Sequence, residues 1–397
     1  MRKIHYPKDR TALESDYWKI FEKAGLQKKW TRLRKILVGL SNNPDKETIY
    51  PIQIKDVICG GFDILVSIYL DYKVIKNKNK GKKIESLESD LFSLFSYNAD
   101  EKSHSHAYQP DIAEFFMRYA EELNLHVCHY CELSYVNAYG FSDVFKNFGH
   151  FLKNANKEAI SHYIRREDGK HYSEGVIKEI LDLQNTCPEE KITEAFDKIG
   201  PWGGKSPKKS ESVTARLRNH FDLDHFLPKS LCPIVGLSLY NFVPSCSVCN
   251  EKLKRTDEMG GVDKDKWLQL SPTSDSYSFY DDVTIKIEPI PKELKISDNP
   301  NEYRLVFSPQ GNAYEPTIRE FLLEERYNYH KCEALRLHDL LVDYPKTRIK
   351  MLKDLFGDSK TERDVENDVF GVEYRQKHHR CFSKLYIDIF KTHYKLF

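Results

Sequence analysis

Residues 221–229 read Phe-Asp-Leu-Asp-His-Phe-Leu-Pro-Lys, residues 240–244 read Tyr-Asn-Phe-Val-Pro, and residues 246–252 read Cys-Ser-Val-Cys-Asn-Glu-Lys. The alternation of Phe221 and Leu223 with Asp222 and Asp224 predicts a short strand inside 218–228 that leaves Asp224 and His225 at its end. Residues 237–244 predict a second strand. The Cys246 to Cys249 pair predicts a turn, and the composition after it predicts a helix with Asn250 suited to its N-cap. The order is therefore strand, loop, strand, knuckle and helix, and the polar anchors Asp224-His225, Asn241 and Asn250 can converge on one ion.

Upstream, a second pair stands at Cys128-His-Tyr-Cys131, just after a predicted amphipathic helix over 111–125. Each short spacing lets two thiolates reach one tetrahedral ion from a tight turn. Cys128, Cys131, Cys246 and Cys249 thus make one candidate four-cysteine site, although 114 residues separate Cys131 from Cys246, against a usual gap of about 15 to 20. The competing reading is two unrelated turns of buried cysteines. Cys59, Cys187, Cys232, Cys332 and Cys381 have no such neighbours and read as ordinary buried thiols.

The 397 residues are 40% hydrophobic and 13% aromatic, which excludes a disordered or collagenous chain. Lys plus Arg number 61 against 60 Asp plus Glu, so no whole-molecule field draws the protein to polyanions and any nucleic-acid contact is local. The most apolar stretch, residues 57–69, is short and contains Asp63, which predicts no membrane span. Residues 1–10 carry Arg2, Lys3, Lys8 and Arg10 without an apolar core, so no secretory leader is expected and a cytoplasmic location is. Clustered cysteines in that compartment point to metal rather than to disulfides.

Elsewhere the spacing predicts helix over 16–40 and 86–95, a solvated lysine-rich turn at 76–83, and charged helices over 155–198 ending in a Gly/Pro/Ser-rich loop at 200–209. Strands are expected at 276–291 and 303–308, and one long amphipathic helix at 315–344. The organisation expected is a helical region 1–115, a core 116–272 with an insertion at about 145–215, and a mixed region 273–397.

The ordered combination of Asp224-His225, Asn241 and Cys246-Ser-Val-Cys249-Asn250 resembles the HNH endonuclease family in its zinc-stapled ββα-metal form, and within it the HNH subunit of Septu-type anti-phage systems. Residues 311–326 carry a weaker likeness to the segment C-terminal to the motif in that subunit. The resemblance implies an α+β fold with a ββα-metal core, His225 as general base, Asp224 and Asn250 as ligands of a catalytic Mg2+ or Mn2+, and Asn241 as a brace of the hairpin. It also implies a structural Zn2+ on the four cysteines, DNA as substrate, a 3'-hydroxyl and a 5'-phosphate as products, and an ATPase partner. Asn250 stands where many relatives have His, and the span between Cys131 and Asp224 is longer than theirs.

The residue types suit that chemistry independently. An imidazole titrates near neutrality and can take a proton from water, while a carboxylate and an amide oxygen are ligands that hard cations accept. Asp222 is either an outer acceptor for the ion or an exposed strand carboxylate. His220 reads as structural or as a phosphate contact, His129 as a candidate substitute for one thiolate, and His104, His106, His378 and His379 as surface residues. A local basic excess over 205–229, with Lys208, Lys209, Arg216, Arg218 and Lys229, continues through Lys252 and suits phosphate positioning without base reading. Two rivals remain open here: a zinc-stabilised nucleic-acid or protein binding module without catalysis, and an RNA-cleaving enzyme of the same chemistry.

Overall fold

The computed structural model describes residues 1–97, 108–139, 148–164, 171–199, 218–254, 258–290, 300–371 and 380–395. The fold is helix-rich α+β with small two-stranded sheets. The chain divides into two compact units, one of residues 1–137 with 220–397 and one of residues 138–219.

In the first unit, one continuous core joins the three regions drawn from the sequence, running from Met1 and Trp30 through Phe226 and Trp267 to Leu385. Its centre is an antiparallel hairpin of β3 (Asp222–His225) and β4 (Phe242–Ser245), in the register Asp222↔Ser245 to His225↔Phe242. N-terminal helices enclose the loop of this hairpin. The Tyr17 hydroxyl donates to Leu237 O at 3.0 Å, Ser238 Oγ to Val57 O at 3.0 Å, and the Tyr240 hydroxyl to Glu14 Oε1 at 2.6 Å. Helix Phe62–Lys78 packs Phe62 against Phe226 and Tyr69 against Trp267. Gly260 is required beneath that indole, because a Cβ there would lie 2.3 Å from Trp267 Cδ2. After the core, β5 (Val283–Pro289) pairs antiparallel with β6 (Tyr303–Pro309), and helices then run from Glu315 to Lys395.

Several elements are shorter than the spacing predicts. The stretch 16–40 is a helix Thr11–Trp18, a tight turn Glu22–Ala24 and a helix Leu26–Leu40, broken at Gly25, whose φ of 63° ends a helical run without Cβ strain. The second strand begins only at Phe242, since Pro233 and Gly236 favour short turns at Pro233–Val235 and Leu239–Asn241. A short helix, Phe279–Asp282, precedes β5 where strand is expected from 276. The expected helix 315–344 is three helices, Glu315–Glu320, Leu323–Tyr329 and Lys331–Asp343. Its first break is at Leu322, in the left-handed region at φ 46°. Apolar spacing continues across that break, which is why periodicity alone misses it.

The second unit carries β1 (Ala138–Tyr139) paired antiparallel with β2 (Arg218–Asn219), together with helices Phe148–Asn154, Lys157–Tyr163, Glu174–Thr186 and Glu189–Lys198. Its own core is Phe151, Leu152, Ile160, Ile177, Ile180, Ile192 and Phe196. Gln184 ties two helices together by donating to Leu152 O at 2.8 Å and Ala155 O at 2.7 Å.

Candidate functional site

The four cysteines of the two short pairs come together. Glu132 adopts φ 54° and donates its N–H to Cys128 O at 2.9 Å, closing the first knuckle, while Leu133 N donates to Cys131 Sγ at 3.4 Å. The second knuckle docks on it, with Cys246 N donating to Cys128 Sγ at 3.3 Å. All four sulfurs lie within 4.8 Å of one another, and Cys131 and Cys246 are 4.0 Å apart. A tetrahedral ion with Zn–S bonds of about 2.3 Å spaces its sulfurs roughly 3.8 Å apart, so the cluster has the size and the donor set for a metal such as zinc. Burial pushes the Cys128 and Cys131 thiols up, whereas hydrogen bonds from the other three cysteines pull Cys246 down. Each sulfur that binds a cation gives up its proton on binding. His129 does not join them: it is buried with Nδ1 2.9 Å from Arg2 O.

Asn241 braces the hairpin loop. Its Oδ1 accepts from Leu227 N at 2.7 Å, and its Nδ2 donates to Leu227 O and Val235 O, each at 3.0 Å. Asn241→Ala would orphan Leu227 N and Leu227 O at about 1–3 kcal/mol each and leave Val235 O with Ser238 N at 3.4 Å as its donor. The expected loss is therefore about 2 kcal/mol or more, read as a lower urea midpoint at unchanged m-value.

His225 ends β3 with its ring packed on Phe242 (centroids 4.6 Å apart) and edge-on to Tyr97 (5.3 Å). Nε2 lies 2.9 Å from Gly236 O. That carbonyl can approach because residue 236 is Gly, where a Cβ would meet Phe95 O at 2.8 Å. Burial pushes the imidazole down to about 3, the Lys229 cation adds to the effect, and the Gly236 carbonyl opposes it. The ring is therefore neutral at pH 7. A bond from Nε2–H to Gly236 O leaves Nδ1 as the basic nitrogen, and Nδ1 has no hydrogen bond among the described residues. Sequence reasoning missed Tyr97 and Gly236, since neither carries a ligand or catalytic motif.

Asp224, one residue earlier, points to the other side of the strand. Tyr130 donates to its Oδ2, and Lys254 Nζ lies 3.0 Å from Oδ2 and 2.8 Å from His225 O. Lys254 is fully buried. Its position comes from the helix Val248–Lys254, whose wide i→i+5 turns put Lys254 beneath the strand. Asn250 lies inside this helix rather than at its cap, with its N–H on Cys246 O at 3.0 Å.

The carboxylate beside the Asn250 amide is Asp222. Burial raises its pKa and the Asn250 side chain opposes that shift. Asp222 Oδ2 and Ser245 Oγ, opposite it across the hairpin, are both buried without a hydrogen-bond partner among the described residues. Asn250 and Asp222 are thus brought together, while both Asp224 oxygens are engaged by Tyr130 and Lys254. As a test of whether this pair takes up a divalent ion, Asp222→Asn is expected to lower Mn2+ uptake while leaving the fold intact. Asp224→Asn would instead leave Lys254 charged, buried and without its counter-ion, lowering stability by about 3–5 kcal/mol. Urea unfolding of the two variants beside a Mn2+ titration separates these effects.

Of the basic residues, Lys229 is half-buried with Nζ 4.5 Å above the Tyr97 ring, next to His225, and Lys252 is exposed on the wide helix. Lys208, Lys209 and Arg216, with His104, His106, His378 and His379, lie outside the described residues, and of Arg218 only the backbone is described. His220 is exposed. Cys59 and Cys232 are buried as expected, Cys187 and Cys381 are half-buried, and Cys332 is exposed. Among the described residues no helix is long and apolar enough to cross a membrane. No family model, curated protein or solved structure matches the chain.

Proposed function

We propose that the chain is a metal-dependent HNH endonuclease with a zinc-stapled ββα core, which hydrolyses phosphodiester bonds of DNA in anti-phage defence or restriction. The observation that carries this reading is the anchored imidazole: His225 is fixed through Nε2 to Gly236 O, with Nδ1 left without a hydrogen bond among the described residues, at the end of a hairpin braced by Asn241. Asp222 and Asp224, on the same strand as His225, and Asn250, on the helix after β4, supply oxygen donors.

The residues present fit a hard divalent cation. Asp222 and Asn250 would hold it, with Asp224 joining only by releasing Tyr130 or Lys254. Mg2+ or Mn2+ bound there supplies positive charge to the phosphate and the leaving oxygen. The rest is done by the chain. His225 Nδ1 accepts a proton from the attacking water, the water oxygen bonds to phosphorus, and the bond to the 3' oxygen breaks. That oxygen takes up a proton from solvent, giving a 3'-hydroxyl and a 5'-phosphate. Lys229 and Lys252 are placed to hold phosphates by charge alone, with no reading of bases. The zinc at Cys128, Cys131, Cys246 and Cys249 is structural, because four sulfurs leave no open position. It fixes the start of the helix that carries Asn250.

The test is purified full chain with supercoiled DNA and a matched RNA strand. Nicking of DNA with Mg2+ or Mn2+ and none in EDTA is expected, whereas no cleavage of either polymer with any divalent ion overturns the enzyme reading, and cleavage of RNA alone assigns the substrate to RNA. Both occupied oxygens of Asp224 favour a second reading, a zinc-stapled binding module without catalysis, for which binding without cleavage is the outcome. The Septu resemblance also supports an ATPase partner, which a pull-down with the neighbouring gene's product tests.

A further inference from the structure

We propose that Arg326 is a guanidinium clasp of the four-cysteine centre, holding the two knuckles to one metal ion and offsetting the negative charge of the thiolates. The inference rests on the reading of these cysteines as a zinc site. Arg326 Nη1 donates to Cys249 Sγ at 3.3 Å, and Nη2 donates to Cys131 Sγ at 3.4 Å. One planar fork therefore spans a sulfur from each knuckle, although Arg326 lies 77 residues beyond Cys249 and 195 beyond Cys131. Four thiolates around Zn2+ leave two net negative charges in a buried setting, and a buried charge of that kind is stable only with a counter-ion and hydrogen bonds.

The fork is held by contacts beyond the sulfurs as well. Nη1 also donates to Phe321 O at 3.3 Å, and the neighbouring Tyr327 hydroxyl donates to Cys131 O at 2.9 Å. The helix that carries them, Leu323–Tyr329, is pinned to β6. Asn328 pairs its amide with both Leu305 N and Leu305 O at 2.8 Å, and Glu324 accepts from Phe307 N at 2.9 Å. The turn at Leu322 aims this helix at the sulfurs. Phe321 stacks on Tyr130 (centroids 4.3 Å apart, planes at 16°), and Tyr130 donates to Asp224, so the clasp is also linked to the strand carrying His225. A lysine cannot reproduce the arrangement, having one charged nitrogen where the site uses two at fixed spacing.

Zinc affinity of the full chain is measured by competition with a chromophoric chelator, for wild type, Arg326→Gln and Arg326→Lys. Losing outer partners of metal ligands costs roughly 10–100-fold in affinity, so Arg326→Gln is expected to bind zinc weaker by that factor, with Arg326→Lys between the two. In cobalt-substituted protein the sulfur-to-metal charge-transfer band should move to lower energy once the N–H···S bonds are gone, a shift that a merely structural role would not produce. Arg326→Lys keeps the aliphatic stem and a cation, so it reports the band shift even where the Gln variant does not fold. Wild type with one zinc and an Arg326→Gln variant of equal affinity and unmoved band overturns the clasp alone. Wild type that takes up no zinc overturns the four-cysteine reading, and the clasp with it.

Discussion

Cys249→Ser is expected to abolish zinc uptake and to lower the melting temperature by on the order of 10 °C. The four sulfurs join two segments whose nearest ligands, Cys131 and Cys246, are 115 positions apart, so a metal held by them would tie a long loop that the unfolded chain leaves open. Removing one thiolate opens the tetrahedron and leaves the other three buried beside Arg326. For a unit of 315 residues each kcal/mol moves the melt by about 2 °C, so a loss of roughly 5 kcal/mol gives the shift stated. Cys332→Ser is the matched control, because Cys332 is exposed and outside the cluster. Zinc per chain and thermal melts check both variants: one zinc and an unchanged melt are expected for Cys332→Ser, and a Cys249→Ser variant that matches it would exclude a structural metal.

His225→Ala is expected to reduce single-turnover cleavage of DNA by about 100- to 10,000-fold, the range typical of a removed general base. The substitution also leaves Gly236 O without its donor, at about 1–3 kcal/mol, so the rate is compared in protein shown by its melt to be folded. Tyr97→Phe is the informative companion. It keeps the ring beside His225, and with no catalytic role assigned to the hydroxyl its rate should stay near wild type. A His225→Ala variant that cleaves at the wild-type rate would move catalysis elsewhere in the chain.

The parts of the site that were legible in the sequence are those fixed by covalent spacing. Two cysteines at i and i+3 reach one ion whatever the rest of the chain does, so the cluster needed only the two knuckles to meet. Asn241 was legible as a brace because the likeness named it, and the three bonds it makes account for the position. Lys254 was not legible as the partner of Asp224. Its complete burial depends on a helix with wide turns, and composition gives no sign of one. The proximity of Asn250 to Asp222 rather than to Asp224 has the same origin, together with the two-residue period that sets Asp222 and Asp224 on one face of β3. Arg326 lay hidden in what reads as an uninterrupted amphipathic helix, because a single residue in the left-handed region, Leu322, re-aims the chain without disturbing the apolar pattern. The hairpin was recognisable, but its second strand started late, where Pro233, Gly236 and the Asn241 side chain claim the loop's backbone groups.

On this reading one chain assembles two metal centres of opposite chemistry, a closed sulfur site and an oxygen site at Asp222 and Asn250. Anomalous scattering from crystals soaked in Mn2+, recorded above and below the zinc edge, distinguishes the two directly. A zinc peak is expected about 2.3 Å from the sulfurs of Cys128, Cys131, Cys246 and Cys249, with a separate manganese peak at the oxygens of Asp222 and Asn250. Sulfurs without a metal peak, or manganese bound only away from Asp222 and Asn250, would contradict the two-centre reading.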